Sequence, residues 1–72
     1  MDWHTTGDRE ELVLALDGRV ELEWGPAVRP PQRVPLPAGR CAWLDRAVRH
    51  RVVNRTRRLA RYVYITASAA GC

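Results

Sequence analysis

Several residue types are scarce or missing in this chain of 72 residues, and each absence excludes a class of protein. There is no lysine and no phenylalanine, and there are only one methionine and two cysteines. Two cysteines are too few for a disulfide scaffold, which favours a reduced, cytoplasmic protein. No apolar run approaches the roughly 20 residues that a membrane-spanning helix needs. No basic segment followed by an apolar stretch marks a secretory signal.

The length of the chain allows one small domain. A chain of this size buries only about 60% of the surface that its unfolded form exposes, so a metal or a partner chain is expected to add stability. Hydrophobic residues make up 46% and charged residues 28%, which is typical of a globular protein and not of a disordered one. We expect a single domain over residues 1–66 and a short flexible tail over residues 67–72.

The positive charge of the chain comes entirely from arginine. Twelve arginines against eight acidic residues give a net charge of +4, and six of them lie within residues 49–61. A basic cluster of this kind can be the electrostatic footprint of a nucleic-acid-binding protein. No aromatic residue alternates with these arginines where a base would stack. We therefore favour the arginine usage of a GC-rich bacterial genome as the explanation, and nucleic acid is not the expected partner.

Short apolar runs separated by turn residues predict an all-β fold. The runs cover residues 10–16, 19–24, 33–36, 40–44, 50–54 and 59–66. Prolines and glycines stand between several of them, and no apolar periodicity indicates a helix longer than one turn. The first run is compatible with a strand that is buried on both faces. Six short strands in so short a chain predict one small antiparallel β-barrel, or a half-barrel.

The first two strands are predicted to form a hairpin. Alternation in the second strand places Val20, Leu22 and Trp24 on one face. Asp17-Gly18 stands between the two strands. This dipeptide is a strong hairpin signal, because a type I′ turn needs positive φ at both central positions.

Two histidines and a glutamate lie on three different predicted elements. His4 precedes the first strand, Glu10 and Glu11 open it, and His50 opens the fifth strand. Two imidazoles and a carboxylate are the usual ligands of a divalent metal such as Fe, Mn, Ni or Zn.

The spacing of these residues resembles the two signature motifs of the cupin family, G-x5-H-x-H-x3,4-E-x6-G and G-x5-P-x-G-x2-H-x3-N. The corresponding segments are His4-x-Thr6-x4-Glu11-x6-Gly18 and Gly39-x5-Asp45-x-Ala47-x2-His50-x3-Asn54. Six positions match, namely His4, Glu11, Gly18, Gly39, His50 and Asn54. The resemblance covers residues 3–66, which is nearly the whole chain.

The chain departs from the family pattern at three positions. Thr6 replaces the second histidine, Asp45 replaces the proline, and Ala47 replaces the glycine of the second motif. The opening glycine of the first motif would precede Met1, so the N-terminal strands of the barrel are expected to be missing. Either a partner chain covers the open edge, or the chain is an abbreviated cupin.

The resemblance implies a jelly-roll barrel with a divalent metal held by His4, Glu11 and His50. Glu11 is preferred to its neighbour because it alone keeps the six-residue spacing to the motif glycine. Threonine is a poor ligand, so three protein ligands would leave positions open for water or substrate. Each ligand has an alternative role, since His4 is also compatible with a surface histidine and His50 with a core histidine.

Four further residues are candidate contacts for a small-molecule ligand, namely Trp43, Asn54, Tyr62 and Tyr64. The aromatic residues are also candidates for the core of a chain that has no phenylalanine. Asn54 is also a candidate turn former, because its side chain can bond to nearby backbone.

A homodimer is expected because the core is thin and one edge is open. The stripe of Val20, Leu22 and Trp24 and the apolar last strand are the expected contacts, by sheet-to-sheet packing or strand exchange.

Three functions compete for this chain. The first is a metal-dependent small-molecule enzyme such as a dioxygenase, isomerase or epimerase, and the second is a non-catalytic ligand-binding or regulatory barrel. The third is contact with nucleic acid. Thr6 weakens the enzyme hypothesis, whereas the two histidines and Glu11 favour metal over an empty barrel. The sequence therefore predicts a cupin-domain protein that binds a divalent metal in its interior, and it leaves open whether the protein acts on a small molecule. A metal-free ligand-binding or regulatory barrel is the alternative.

Overall fold

The computed structural model describes residues 2–68, which form six β-strands and no helix. The strands are β1 (Arg9–Asp17), β2 (Arg19–Trp24), β3 (Gln32–Pro37), β4 (Cys41–Leu44), β5 (His50–Val53) and β6 (Arg61–Ser68). Each lies within two residues of its predicted bounds, so the all-β class is confirmed. Nothing in this part of the chain has the helical length and apolarity needed to cross a membrane.

The strands form two antiparallel sheets of three strands each. Their orders are β4-β1-β6 and β3-β2-β5. Over residues 2–68 the two sheets do not close into a barrel, so of the predicted barrel or half-barrel the closed form is not present. The observed architecture is an open sandwich whose sheets share one core.

The predicted hairpin between β1 and β2 is wrong. The neighbours of β1 are β4 and β6, so both edges of β1 are already occupied. Gly18, with a φ of +71°, turns the chain from one sheet into the other. A Cβ at this position would lie 2.7 Å from the carbonyl oxygen of Leu59. The Asp-Gly pair therefore forms a corner between the sheets, which only glycine fits.

The core lies between the sheets and is built from the inward-facing residues of both. It consists of Val13, Ala15, Val20, Leu22, Leu36, Leu44 and Val52. Because Val20 and Leu22 are buried in their own chain, they are not available for the dimer contact expected of them. The prediction that β1 is buried on both faces is also wrong, since Leu12 and Leu14 on its outer face are only half-buried and Leu16 is exposed.

The last strand extends further than the sequence predicts. β6 runs to Ser68, so the first two residues of the predicted tail belong to a strand. The rest of that tail, residues 69–72, lies outside the described residues.

Candidate metal centre

Three elements bring His4, Glu11 and His50 together at one end of the sandwich. Glu11 lies on the inner face of the central strand β1, paired in register with Leu44. His50 opens β5 opposite Trp24. The segment before β1 is joined to β5, because the backbone N–H groups of His4 and His50 each donate to the other residue's carbonyl at 3.0 Å. His4 is therefore held in place by the sheet despite its position near the start of the chain.

The three side chains are close enough to share one ion. Their candidate ligand atoms all lie within 4.8 Å of one another. Nε2 of His50 is 2.5 Å from Oε2 of Glu11, and the centroids of the two imidazole rings are 4.3 Å apart. The side chains of His50 and Glu11 are only 1% and 2% exposed. The structure thus brings together the three residues predicted as metal ligands, with Glu11 and His50 buried and His4 half-buried.

Backbone carbonyls orient both imidazole rings. Nδ1 of His50 lies 2.8 Å from the carbonyl oxygen of Val48, and Nδ1 of His4 lies 3.0 Å from that of Asp2. Each Nδ1 therefore carries the proton and donates it, which in a neutral ring leaves the Nε2 lone pair free for a metal. Metal-binding histidines in proteins are commonly held by such a bond at the other ring nitrogen.

The contact between His50 and Glu11 requires a positive charge. With Nδ1 bonded to Val48, a neutral His50 turns a nitrogen lone pair towards a carboxylate oxygen, and two acceptors repel each other. Among the described residues, Nε2 of His50 has no hydrogen-bond partner of suitable geometry. Either a proton or a cation bound by both atoms would satisfy the pair. A buried carboxylate without one would be costly, since burying an uncompensated charge is strongly unfavourable.

Thr6 does not contribute a fourth ligand to this cluster. Its hydroxyl donates to the carbonyl oxygen of Arg9 at 2.7 Å and closes the turn that leads into β1. An ion at the cluster would have three ligands from the described residues. Its remaining positions would be open to water or to a small molecule, as in catalytic metal sites.

Asn54 forms a turn and does not join the cluster. Its Oδ1 accepts hydrogen bonds from the backbone N–H and the hydroxyl of Thr56, and its Nδ2 donates to the carbonyl oxygen of Arg58. The residue follows the end of β5, whereas His50 begins that strand. Its observed contacts are those of the turn former that the sequence offered as the alternative.

Tyr62 and Tyr64 lie on β6, on the same side of the sheet as Glu11. Their register partners on β1 are buried residues of the inner face, and residues directly opposite each other point to the same side. Tyr62 packs against the core, while Tyr64 is exposed. Burial raises the pKa of Tyr62, and the nearby Tyr64 and Glu11 raise it further. The two phenols line the inner face next to the cluster without belonging to it.

An apolar cavity of about 330 Å³ flanks the cluster. Its main walls are Leu22, Trp24, Val34, Ala42, Trp43 and Leu44. Leu44 is the strand partner of Glu11, and Trp24 is the strand partner of His50. In each sheet, the cavity therefore lies one strand away from the metal cluster. Of these residues the sequence predicted only Trp43 as a ligand contact, since no local pattern shows which side chains of two sheets will meet.

Most of the arginine cluster is engaged in contacts within the chain. Arg51 and Arg55 bond to the buried carboxylate of Glu23 at 2.6 and 2.7 Å. These hydrogen bonds hold the pKa of Glu23 below its usual value, and the bond from Arg55 has the largest effect. Further pairs are Arg55 with Glu21, Arg61 with Asp17, and Arg49 with the ring of Trp3. This pairing favours a structural role for the cluster over contact with nucleic acid.

Comparison of the chain with protein-family models, with curated proteins and with solved structures found no match. The resemblance to the cupin motifs therefore depends on the residues of this chain alone. Any functional conclusion has to come from the geometry of the site.

Proposed function

We propose that this chain is a small cupin-type domain that binds one divalent metal ion through His4, Glu11 and His50. The observation that carries the proposal is the contact between His50 Nε2 and Glu11 Oε2, two buried atoms 2.5 Å apart with no hydrogen bond of suitable geometry between them. The Nε2 of His4 is the third donor. Two imidazoles and one carboxylate suit Fe, Mn, Ni or Zn.

The backbone supports the cupin part of the proposal. The family patterns place glycine at the positions of Gly18, Gly39 and Ala47. All three have positive φ here, at 71°, 88° and 61°. Positive φ is the conformation for which glycine is ordinarily required, so the family's glycines correspond to turns that this chain also makes.

A metal with open positions would polarise a bound small molecule or activate a bound water. The chain's own contribution is to hold the three donors before the ion arrives. The carbonyls of Val48 and Asp2 orient the rings, and Glu11 supplies negative charge in a buried position. The alternative is a ligand-binding domain without metal, in which a proton satisfies the His50–Glu11 pair.

Metal analysis of matched variants tests the proposal. The purified chain is loaded with Zn, Mn, Ni or Fe, dialysed and analysed for bound metal, with one ion per chain expected. Glu11→Gln should abolish binding, whereas Glu10→Gln should leave it unchanged. The two glutamates are neighbours on β1, and only Glu11 is fully buried on the inner face.

Histidine variants complete the design. His50→Gln should remove the metal, and His4→Gln should weaken binding less because the two buried donors remain. Circular dichroism of each variant shows whether the sheets are retained. Sub-stoichiometric metal in the folded wild type, with every ion offered, would make the metal-free ligand-binding domain the better account.

A further inference from the structure

We infer that the cavity beside the cluster binds a neutral, mainly apolar small molecule about the size of two fused rings. The inference deepens the proposed function by naming a class of ligand. It depends on the walls of the cavity and is tested separately from the metal.

The walls of the cavity decide the chemistry of the ligand. Leu22, Trp24 and Val34 come from one sheet, and Ala42 and Leu44 come from β4 of the other. None of these side chains carries a charge. A phosphate or a sugar would lose its hydrogen bonds to water against such walls and find few in return. An apolar molecule would instead gain the free energy of leaving water.

Among residues 2–68, Asp45 is the one charged residue that lines the cavity. It lies just after the end of β4, and its Oδ1 accepts the backbone N–H of Arg46 at 2.7 Å. The residue is exposed. A carboxylate at this position disfavours an anionic ligand and leaves the apolar floor of the cavity unaffected.

The volume of the cavity decides the size of the ligand. Small-molecule sites in proteins span roughly 300–1,000 Å³, so a cavity of about 330 Å³ lies at the small end. An engineered apolar cavity of about 150 Å³ accommodates one benzene. The cavity here therefore has room for about two rings.

An indole ring favours a flat ligand. Trp24 lines the cavity from the inner face of β2, and aromatic rings interact best in offset or edge-to-face arrangements. The position of the cavity, one strand from Glu11 and His50, places such a molecule next to the proposed ion.

Calorimetric titration with 2-naphthol, a neutral two-ring probe, tests the inference. One molecule should bind per chain, both in the metal-loaded protein and after treatment with EDTA. Glucose and inorganic phosphate should give no binding. Absence of 2-naphthol binding to the folded wild type would overturn the inference, and so would binding that is lost with EDTA, because the probe would then be reporting the ion.

Two leucine substitutions on β4 give a matched pair. Ala42 points into the cavity, and Ala42→Leu should weaken 2-naphthol binding by at least about tenfold because the added carbons fill the space. Cys41 is its exposed neighbour, and Cys41→Leu should leave the affinity unchanged. Val34→Phe fills the cavity from the other sheet and should repeat the loss. Equal affinity in wild type and both filled variants would overturn the inference.

Failure of this inference can be distinguished from failure of the proposed function. Bound metal is measured on the same preparations, and all substituted cavity residues lie outside the metal cluster. Metal without 2-naphthol binding would overturn only the ligand class. Binding of 2-naphthol in a chain that takes up no metal would support the cavity and refute the metal site.

Discussion

At the scale of single residues, the two imidazoles of the cluster determine how metal binding should respond to pH. Imidazole binds metal as the neutral base, so protons compete with the ion. We expect metal affinity to be lower at about pH 5.5 than at about pH 7.5, because a metal that binds to histidine has to displace protons. Equilibrium dialysis at both pH values measures the change, with circular dichroism as the check on folding. Affinity that does not depend on pH would indicate ligands other than histidine.

Ala47 is a single residue in a conformation that suits glycine. Its φ is +61°, and a side chain in the left-handed region costs roughly 1–2 kcal/mol. Glycine relieves this strain, but it lowers the free energy of unfolding by about 0.5–1 kcal/mol because the unfolded chain has more conformational freedom at glycine. Ala47→Gly should therefore stabilise the fold by up to about 1 kcal/mol, measured by urea unfolding. The control is Ala38→Gly, in an ordinary turn conformation, which should be neutral or destabilising. A loss of stability in Ala47→Gly would contradict the strain argument.

Glu23 links the arginine cluster to stability in acid. Its folded pKa is lowered by the hydrogen bond from Arg55 and then by that from Arg51. A carboxylate of this kind stabilises the fold above its unfolded pKa, and the contribution is lost as the pH falls through the folded value. Glu23→Gln should lower the melting temperature at neutral pH and make it less sensitive to acid.

Thermal melts of wild type and variant between about pH 7 and pH 3 measure this difference. Glu21→Gln is the control, because it removes one partly exposed ion pair of Arg55 and should have a smaller effect. If the melting temperatures of wild type and Glu23→Gln fell in parallel as the pH was lowered, Glu23 would not be the source of the acid sensitivity.

At the scale of elements, the corner between β1 and β2 decides which strands share a sheet. Gly18→Ala should destabilise the fold by more than about 2 kcal/mol, because it combines positive φ with a Cβ only 2.7 Å from the carbonyl oxygen of Leu59. Gly7→Ala separates the two effects, since Gly7 has a φ of +67° and nothing within 4 Å of its Cβ position. It should cost about 1 kcal/mol by urea unfolding. Equal losses in the two variants would mean that the close approach to Leu59 contributes nothing.

At the scale of the whole molecule, the outer faces of the two sheets differ. The outer face of β3-β2-β5 carries the ion pairs of Glu21 and Glu23, whereas that of β4-β1-β6 carries apolar side chains such as Trp43 and Ile65, the latter 59% exposed. Within residues 2–68, β6 pairs with β1 on one edge only. An apolar face beside an unpaired strand edge favours self-association, so we propose that a second copy of the chain covers this face.

Light scattering at micromolar concentration should therefore give twice the mass of the single 8.2-kDa chain. Ile65→Lys should shift the protein towards the monomer by placing a charge on this face. The control is Val28→Lys, at a loop position that is already 88% exposed, which should change nothing. A folded wild-type monomer at this concentration would refute the dimer.

The alternation of residues and the positions of turns determined the six strands, because both are properties of short segments. The resemblance of the residue spacing to the cupin motifs implied His4, Glu11 and His50 as ligands, and it favoured Glu11 over Glu10. The choice of strand partners was decided only in the tertiary structure. Asp17-Gly18 has the same local signal in a hairpin and in a corner between sheets, and the occupation of both edges of β1 by β4 and β6 excludes the hairpin.

The metal cluster and the cavity also differ in how much of each is contained in the local sequence. A strand places alternate residues on one face whatever its neighbours are, so Glu11, Val13 and Ala15 share a face, but the apolar run of β1 does not show which face is turned inward. The inward position of Glu11, its 2.5 Å contact with His50 and the cavity beside Trp24 depend on how two sheets approach each other. That approach is set by packing between residues far apart in the chain, which no segment of the sequence contains.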